Sequence, residues 1–202
     1  MPRPTDIIWL EKTDSTNLEL RRRISDIDNL SVLCAVEQTA GRGQGDHTWT
    51  STPGENLTCS VLLRFEDIAP LRATDALYIT KIITLAIVDY LAGLDIRARI
   101  KWHNDIYVDG LKICGILIEN ILEGEFVSES IVGIGLNVNQ TSFPAELPNP
   151  VSIASLKGGR YDVKEVARAL REKIVRRAGM ISTADGRNKL TEEFDSLVFR
   201  LP

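Results

Sequence analysis

Four glycine-punctuated segments hold the residues whose types and spacing suit chemistry. The first is Gln38-Thr39-Ala40-Gly41-Arg42-Gly43-Gln44-Gly45-Asp46-His47-Thr48-Trp49. Glycines at every second position let backbone N–H groups come close to an anion, as phosphate-cradling loops require. Arg42 stands between two of them, and its planar fork suits a carboxylate or phosphate. Trp49 offers a face on which a base could stack. No Gly-Lys-Ser/Thr follows, so this is not a Walker loop. The same residues also suit a plain surface hairpin loop and a packed, ligand-free tryptophan.

The second segment is Lys101-Trp102-His103-Asn104-Asp105-Ile106-Tyr107. A lysine between apolar strand residues loses hydration unless an anion faces it, and a bound carboxylate or phosphate would serve. An edge strand that leaves Lys101 in water is the alternative. His103 reads as structural. The third is Gly115 in an otherwise β-branched strand, which fits either close approach of a ligand or a bulge. The fourth, Gly133-Ile134-Gly135-Leu136-Asn137-Val138-Asn139, alternates glycines along a strand, as a close backbone approach or tight packing would need.

The whole chain narrows the options. It has 202 residues, 24 Lys and Arg against 28 Asp and Glu, and a net charge of −4. An acidic balance argues against a dedicated nucleic-acid binder while leaving room for a local basic site. Three widely spaced cysteines without a CxxC pair, and two histidines, exclude a disulfide framework and a His- or Cys-rich metal centre. Magnesium carried by a nucleotide stays compatible. The start, Met1 to Asp6, has no signal-peptide layout, and no run is long and apolar enough to span a bilayer. A cytoplasmic protein is the expectation.

Elements must position those segments. Asp14 and Ser15 predict a helix start, with Leu18, Leu20, Ile24 and Ile27 along it. Residues 31–37 read as a buried strand. Alternation from Leu57 to Phe65 predicts a strand with one face on the core. One long amphipathic helix is expected from Pro70 to about Leu91. Four strands follow at 97–102, 105–108, 112–120 and 126–138, with Asp109-Gly110 as a two-residue hairpin turn and Glu123-Gly124 as the next turn. Helices are expected from about Val163 to Met180 and again from about Leu190. The class is α+β: a largely antiparallel sheet covered by helices.

Taken in order, Asp14-Ser15-Thr16-Asn17, Gln38-Thr39-Ala40-Gly41-Arg42-Gly43, Lys101-Trp102-x-Asn104-Asp105, Lys112-x-x-Gly115-Ile116-Leu117-x-Glu119 and Gly133-x-Gly135-x-Asn137-x-Asn139 resemble biotin–protein ligases over residues 7–140. The resemblance implies a catalytic domain similar to class II aminoacyl-tRNA synthetases, with a mixed, mainly antiparallel sheet flanked by helices, in this case one domain over 1–202 without a DNA-binding head or small C-terminal β domain. It implies formation of biotinyl-5′-AMP from biotin and Mg·ATP, then transfer to a lysine of a biotin carboxyl carrier domain. No nucleic acid or membrane is expected as a partner. Some relatives dimerise through sheet edges, so a homodimer stays open.

The resemblance also assigns roles. Ser15, Thr16, Asn17, Gln38, Gly41, Arg42, Gly43, Gln44, Lys101 and Gly115 match biotin-binding positions. Arg42, Trp49, Asn104, Lys112 and Asn137 match ATP-side positions. Lys101 and Arg42 match the catalytic cations, and no protein metal site is implied. Neutral hydroxyls and amides suit biotin's neutral ureido ring. Two departures stand out. Gln44 occupies a position that is commonly basic, which predicts weaker retention of the intermediate, and His103 replaces the usual proline. Rival readings are a lipoate or octanoate ligase of the same fold, and a non-catalytic biotin or biotinyl-AMP binding module.

Overall fold

Alternating apolar residues and sharp turns produce a sheet that is covered differently on its two sides. The computed structural model describes residues 7–102 and 104–200; the N-terminal reading and His103 lie outside the described residues. In chain order the elements are β1 (Ile7–Thr13), α1 (Thr16–Arg22), β2 (Val32–Gln38), β3 (Leu57–Arg64), α2 (Phe65–Ile68) and α3 (Leu77–Ala92). Then come β4 (Arg99–Lys101), β5 (Asp105–Val108), β6 (Leu111–Glu123), β7 (Phe126–Leu136), α4 (Ile153–Lys157), α5 (Val163–Gly179), α6 (Ala184–Leu197) and β8 (Val198–Phe199). The sheet runs β1-β2-β3-β7-β6-β5-β4-β8. β1 is parallel to β2 and β4 to β8, and the other neighbours are antiparallel. The expected α+β class with a mixed, mainly antiparallel sheet is the one observed.

One face carries the main core. Ile79, Ile83 and Ile87 of α3, Leu170 and Ile174 of α5 and Phe194 of α6 pack with Val61, Leu63, Val132 and Ile134 of the central strands. The opposite face holds a smaller cluster, in which Leu20 of α1 packs with Leu33, Leu62 and Ile131. Period-2 alternation explains the division: neighbouring residues of β3 and β7 go to different faces. The rest of that second face, beyond α1, is free to form a site.

Asp109 and Gly110 adopt φ of 49° and 80°, the double left-handed geometry of a type I′ turn, and Val108 pairs with Leu111 across it. At the next hairpin Glu123 pairs with Phe126 around Gly124, whose φ is 60°.

Three expectations are corrected. The stretch from Pro70 is not one helix: a short 3₁₀ turn at Ala73–Asp75 precedes α3, which begins at Leu77. Arg72 instead bridges Phe126, and Ala73 donates its N–H to Glu125, so tertiary pairing holds this segment extended. Nor is α3 amphipathic, because it is buried from Ile79 to Ile87 between the sheet and two helices. α6 starts at Ala184 rather than near Leu190, because Thr183 caps it by accepting from the Gly186 N–H at 3.1 Å. β3 is buried on both faces from Leu57 to Leu63, so Thr58 and Ser60 do not meet bulk water.

Candidate active site

Ser15 is the residue preceding α1, as expected, but its side chain makes no cap hydrogen bond. The helix start is satisfied from a neighbouring strand. Gln38, at the end of β2, accepts from the Thr16 N–H at 2.8 Å and from the Thr16 hydroxyl at 3.1 Å. Asp14 accepts from the Ser15 N–H at 2.7 Å and pairs with Arg22. Hydrogen bonds from Arg22 and from the Ser15 backbone hold the Asp14 carboxyl well below the usual carboxylate range. Parallel pairing of β1 with β2 sets this register: Thr13 lies opposite Gln38, which brings the α1 start to the Gln38 amide.

From there the polar groups connect inward. Ser60, on the face of β3 away from the helical core, donates to Thr16 Oγ1 at 2.8 Å or Asn17 Oδ1 at 2.5 Å. Asn17 donates to Glu119 at 2.8 Å. Its amide rests on Gly133, where a Cβ would collide with Asn17 Oδ1. Ser15, Thr16, Asn17 and Ser60 are all buried. A buried polar group without a partner is unfavourable by about 1–3 kcal/mol, so this arrangement of neutral donors and acceptors is strongly constrained.

Trp49 covers the adjacent floor. Its ring lies on Gly135 and Gly115, which face one another in the β6/β7 register. A Cβ on Gly115 would stand 2.9 Å from the ring, and one on Gly135 would overlap it. The glycines thus serve close approach rather than a bulge at this place. The loop before Trp49 folds as a small hairpin: Trp49 donates to the Gly41 carbonyl at 3.0 Å, and Gly43 donates to the His47 carbonyl at 2.7 Å. Trp49 Nε1 is buried and has no hydrogen-bond partner among the described residues, which marks a place where an acceptor atom would fit.

A cavity of about 490 Å³ runs over this floor. It is lined by Ser15, Thr16, Asn17, Gln38, Arg42, Gly43, Gln44 and Trp49 on one side, and by Lys101, Asn104, Lys112, Gly115 and Asn137 on the other. Of the residues assigned to biotin, ATP or catalysis from sequence, only Gly41 is not on the wall. It sits behind, where a Cβ would collide with the Trp49 carbonyl.

Lys101 is half-buried on β4, an internal strand flanked by β5 and β8, so the open-edge reading fails. Its ammonium lies 5.5 Å from the Tyr107 ring centroid, and no carboxylate among the described residues pairs with it. The other cations are engaged. Lys112 pairs with Asp105 at 2.8 Å, and Arg42 with Glu119 at 3.1 Å. Asn104 and Asn137 turn their amide N–H groups to backbone: Asn104 donates to the Ile116 carbonyl at 2.7 Å and Asn137 to the Val151 carbonyl at 3.0 Å. They shape the wall as much as they line it.

Sequence reasoning missed three contributors. In the sequence Ser60 is only one polar position in an alternating strand. Glu119 belonged to a quoted motif and shares the face of Gly115, which was the available signal. The far wall comes from Phe143, Leu147, Pro148 and Pro150, in a segment without periodicity to read. That segment is tied to β6, since Lys112 donates to the Asn149 carbonyl at 2.7 Å and Val151 to the Lys112 carbonyl at 3.0 Å.

Chemically, one end of the cavity presents neutral hydroxyls and amides, the middle is a glycine floor under an indole, and the other end presents an uncompensated lysine. That is a site for a small molecule with a neutral polar head, an apolar body and an anionic tail. Among the described residues no group of three or more His, Cys, Asp or Glu could hold a metal ion. The thiols of Cys34 and Cys114 are poor nucleophiles: a hydrogen bond with Cys59 and burial raise the first, and burial raises the second.

Comparison with known proteins agrees with that ligand class. The model of the biotin/lipoate A/B protein ligase family matches residues 9–137, and the chain belongs to this family. The bifunctional ligase/repressor BirA of Bacillus spizizenii is 40% identical over 136 residues, covering 65% of this chain and 41% of its own. The biotin–[acetyl-CoA-carboxylase] ligase of Paracoccus denitrificans is 32% identical over 164 residues, covering 77% of this chain and 66% of its own. The chain therefore spans less than two thirds of either relative. The biotin protein ligase of Aquifex aeolicus, solved in complex with biotin and ATP, superposes with a TM-score of 0.81 at 27% identity, covering 96% of this chain and 78% of that one.

Proposed function

We propose that this chain is an ATP-dependent biotin–protein ligase. It activates biotin to biotinyl-5′-AMP with release of pyrophosphate, then passes the biotinyl group to a lysine of a biotin carboxyl carrier domain. The observation that carries the reading is a single cavity with the Ser15–Thr16–Asn17–Gln38 set at one end and, at the other, Lys101, with which no carboxylate among the described residues pairs. The named activities of the relatives support it.

In this reading the hydroxyls and amides of the α1 start bind the ureido ring, and an analogue lacking its N–H and C=O groups leaves them unpaired. The apolar wall of the sheet takes the thiophane ring and valeryl chain, and Trp49 offers its face to the adenine. The biotin carboxylate attacks the α-phosphorus of ATP, and pyrophosphate leaves. Two anions must meet for that, and Lys101 and Arg42 offset the repulsion and the charge that develops on the α-phosphoryl oxygens. The amine of the carrier lysine then attacks the acyl carbon, and AMP leaves. Magnesium, carried on the triphosphate oxygens, would neutralise charge on ATP; no residue is assigned to it. Asn104, Lys112 and Asn137 lie on the nucleotide side. A cytoplasmic setting belongs to the proposal, supported by three free cysteines. No described helix is long and apolar enough to cross a membrane.

The test is labelling of a carrier domain with biotin and ATP. The wild type should label it, and Lys101→Ala and Arg42→Ala should each depress labelling. Tighter calorimetric binding of lipoate than of biotin would move the assignment to the lipoate side of the family. Biotin binding without biotin-dependent pyrophosphate release would reduce it to a binding module.

A further inference from the structure

Glu119 joins two parts of the site that are far apart in sequence. It lies on β6, two and four positions beyond Leu117 and Gly115 and on their face, with its side chain only 19% exposed. One carboxylate oxygen accepts from Asn17 Nδ2 at 2.8 Å. The other accepts from Arg42 Nη1 at 3.1 Å, with Arg21 Nη2 at 3.9 Å. Asn17 continues to Ser60, Thr16 and Gln38. One carboxylate thus ties the glycine-rich loop to the α1 start.

From this bridge we infer that Glu119 is a positioning residue: an internal anion that holds Arg42 in the ligand-free protein and yields it to the phosphoryl group of the acyl-adenylate. The inference rests on the ligase reading above. Arg42 is the only Lys or Arg between Gln38 and Trp49, so the loop has one cation to commit. Its side chain is 43% exposed and makes one hydrogen bond to Glu119. Ion pairs of that kind shift an equilibrium by a factor of roughly 1.4 to 5. A phosphoryl group offers two acceptor oxygens to the guanidinium fork in a stronger, charge-assisted arrangement. The ligand therefore wins Arg42, while Glu119 keeps Asn17.

Glu119→Gln tests this, since it preserves size and an acceptor for Asn17 and removes the charge. In the ligand-free protein, tryptic cleavage of the Arg42–Gly43 bond should quicken roughly 1.4- to 5-fold, because cleavage follows the population with Arg42 released. In the second arm, biotinyl-AMP should leave Glu119→Gln more slowly by a similar factor, because its competitor for Arg42 is gone. That slowing should vanish in an Arg42→Ala background, whereas a merely structural role would alter both backgrounds alike. Unchanged or faster release, or a slowing that persists without Arg42, overturns the proposal; so does an unchanged cleavage rate. If the wild type forms no biotinyl-AMP yet cleavage quickens in the variant, the ligase reading fails and the Glu119–Arg42 latch stands. Should Glu119→Gln fold poorly, Glu119→Asp, too short to span both partners, should shift both arms in the same direction.

Discussion

Lys101 brings a positive charge into a half-enclosed cavity with no carboxylate beside it among the described residues, and an anionic ligand would balance that charge. Lys101→Ala should slow biotin-dependent pyrophosphate release by roughly 100- to 1,000-fold, the range for removing one stabilising donor. Ser60→Ala tests the other end. It strips a donor from the buried Asn17 oxygen, a loss of about 1–3 kcal/mol. Calorimetry should show biotin affinity down by roughly tenfold. A lowered melting temperature with unchanged affinity would assign Ser60 to the fold alone. At this scale the sequence was informative where the chemistry is unusual, as with a lysine among apolar residues or an arginine between glycines. It was mute where an ordinary residue acquires meaning from a partner, as Ser60 does from Asn17.

At the level of elements, the hairpins were legible because Asp109-Gly110 dictates its own backbone, whereas the start of α3 was not. Pro70 suits a first helical turn locally, but the Ala73 N–H is taken by Glu125 across space. Non-local pairing leaves no trace in a periodic pattern. The two central hairpin strands place Gly115 and Gly135 side by side under the indole, which makes a direct prediction. Gly135→Ala drives a methyl into the Trp49 ring and should destabilise by about 1–3 kcal/mol through overpacking. It should also shift tryptophan emission by displacing the indole. An unshifted spectrum with full biotin affinity would refute that placement.

For the molecule as a whole, one guanidinium connects the three helices of the main core. Arg177 of α5 donates to Asp89 of α3 at 2.9 and 2.7 Å and pairs with Glu193 of α6 at 2.6 Å. Burial would raise the Asp89 carboxyl, but Arg177 and Arg176 outweigh it and hold it below its ordinary value. A depressed carboxyl stabilises the fold above the unfolded-state value of about 4, and that contribution fades as pH falls through the folded value. Melting temperature should therefore drop on acidification below about pH 4. Asp89→Asn should lower stability at pH 7 by about 1–3 kcal/mol and flatten the acid limb of the curve. An acid limb as steep as in wild type would place its origin elsewhere.

The sheet that carries the cavity is one strand thick. Gly133 and Gly135 form part of its floor, and Ile134 between them is buried in the helical core on the other side. Ser60, which bonds Thr16 and Asn17 of the site, stands between Cys59 and Val61 of that same core. A substitution that shifts the backbone of these central strands therefore shifts the cavity floor as well. Variants selected only for thermal stability on the α3 face should thus alter ligand discrimination as well, and changes that loosen the core should appear first as lost selectivity.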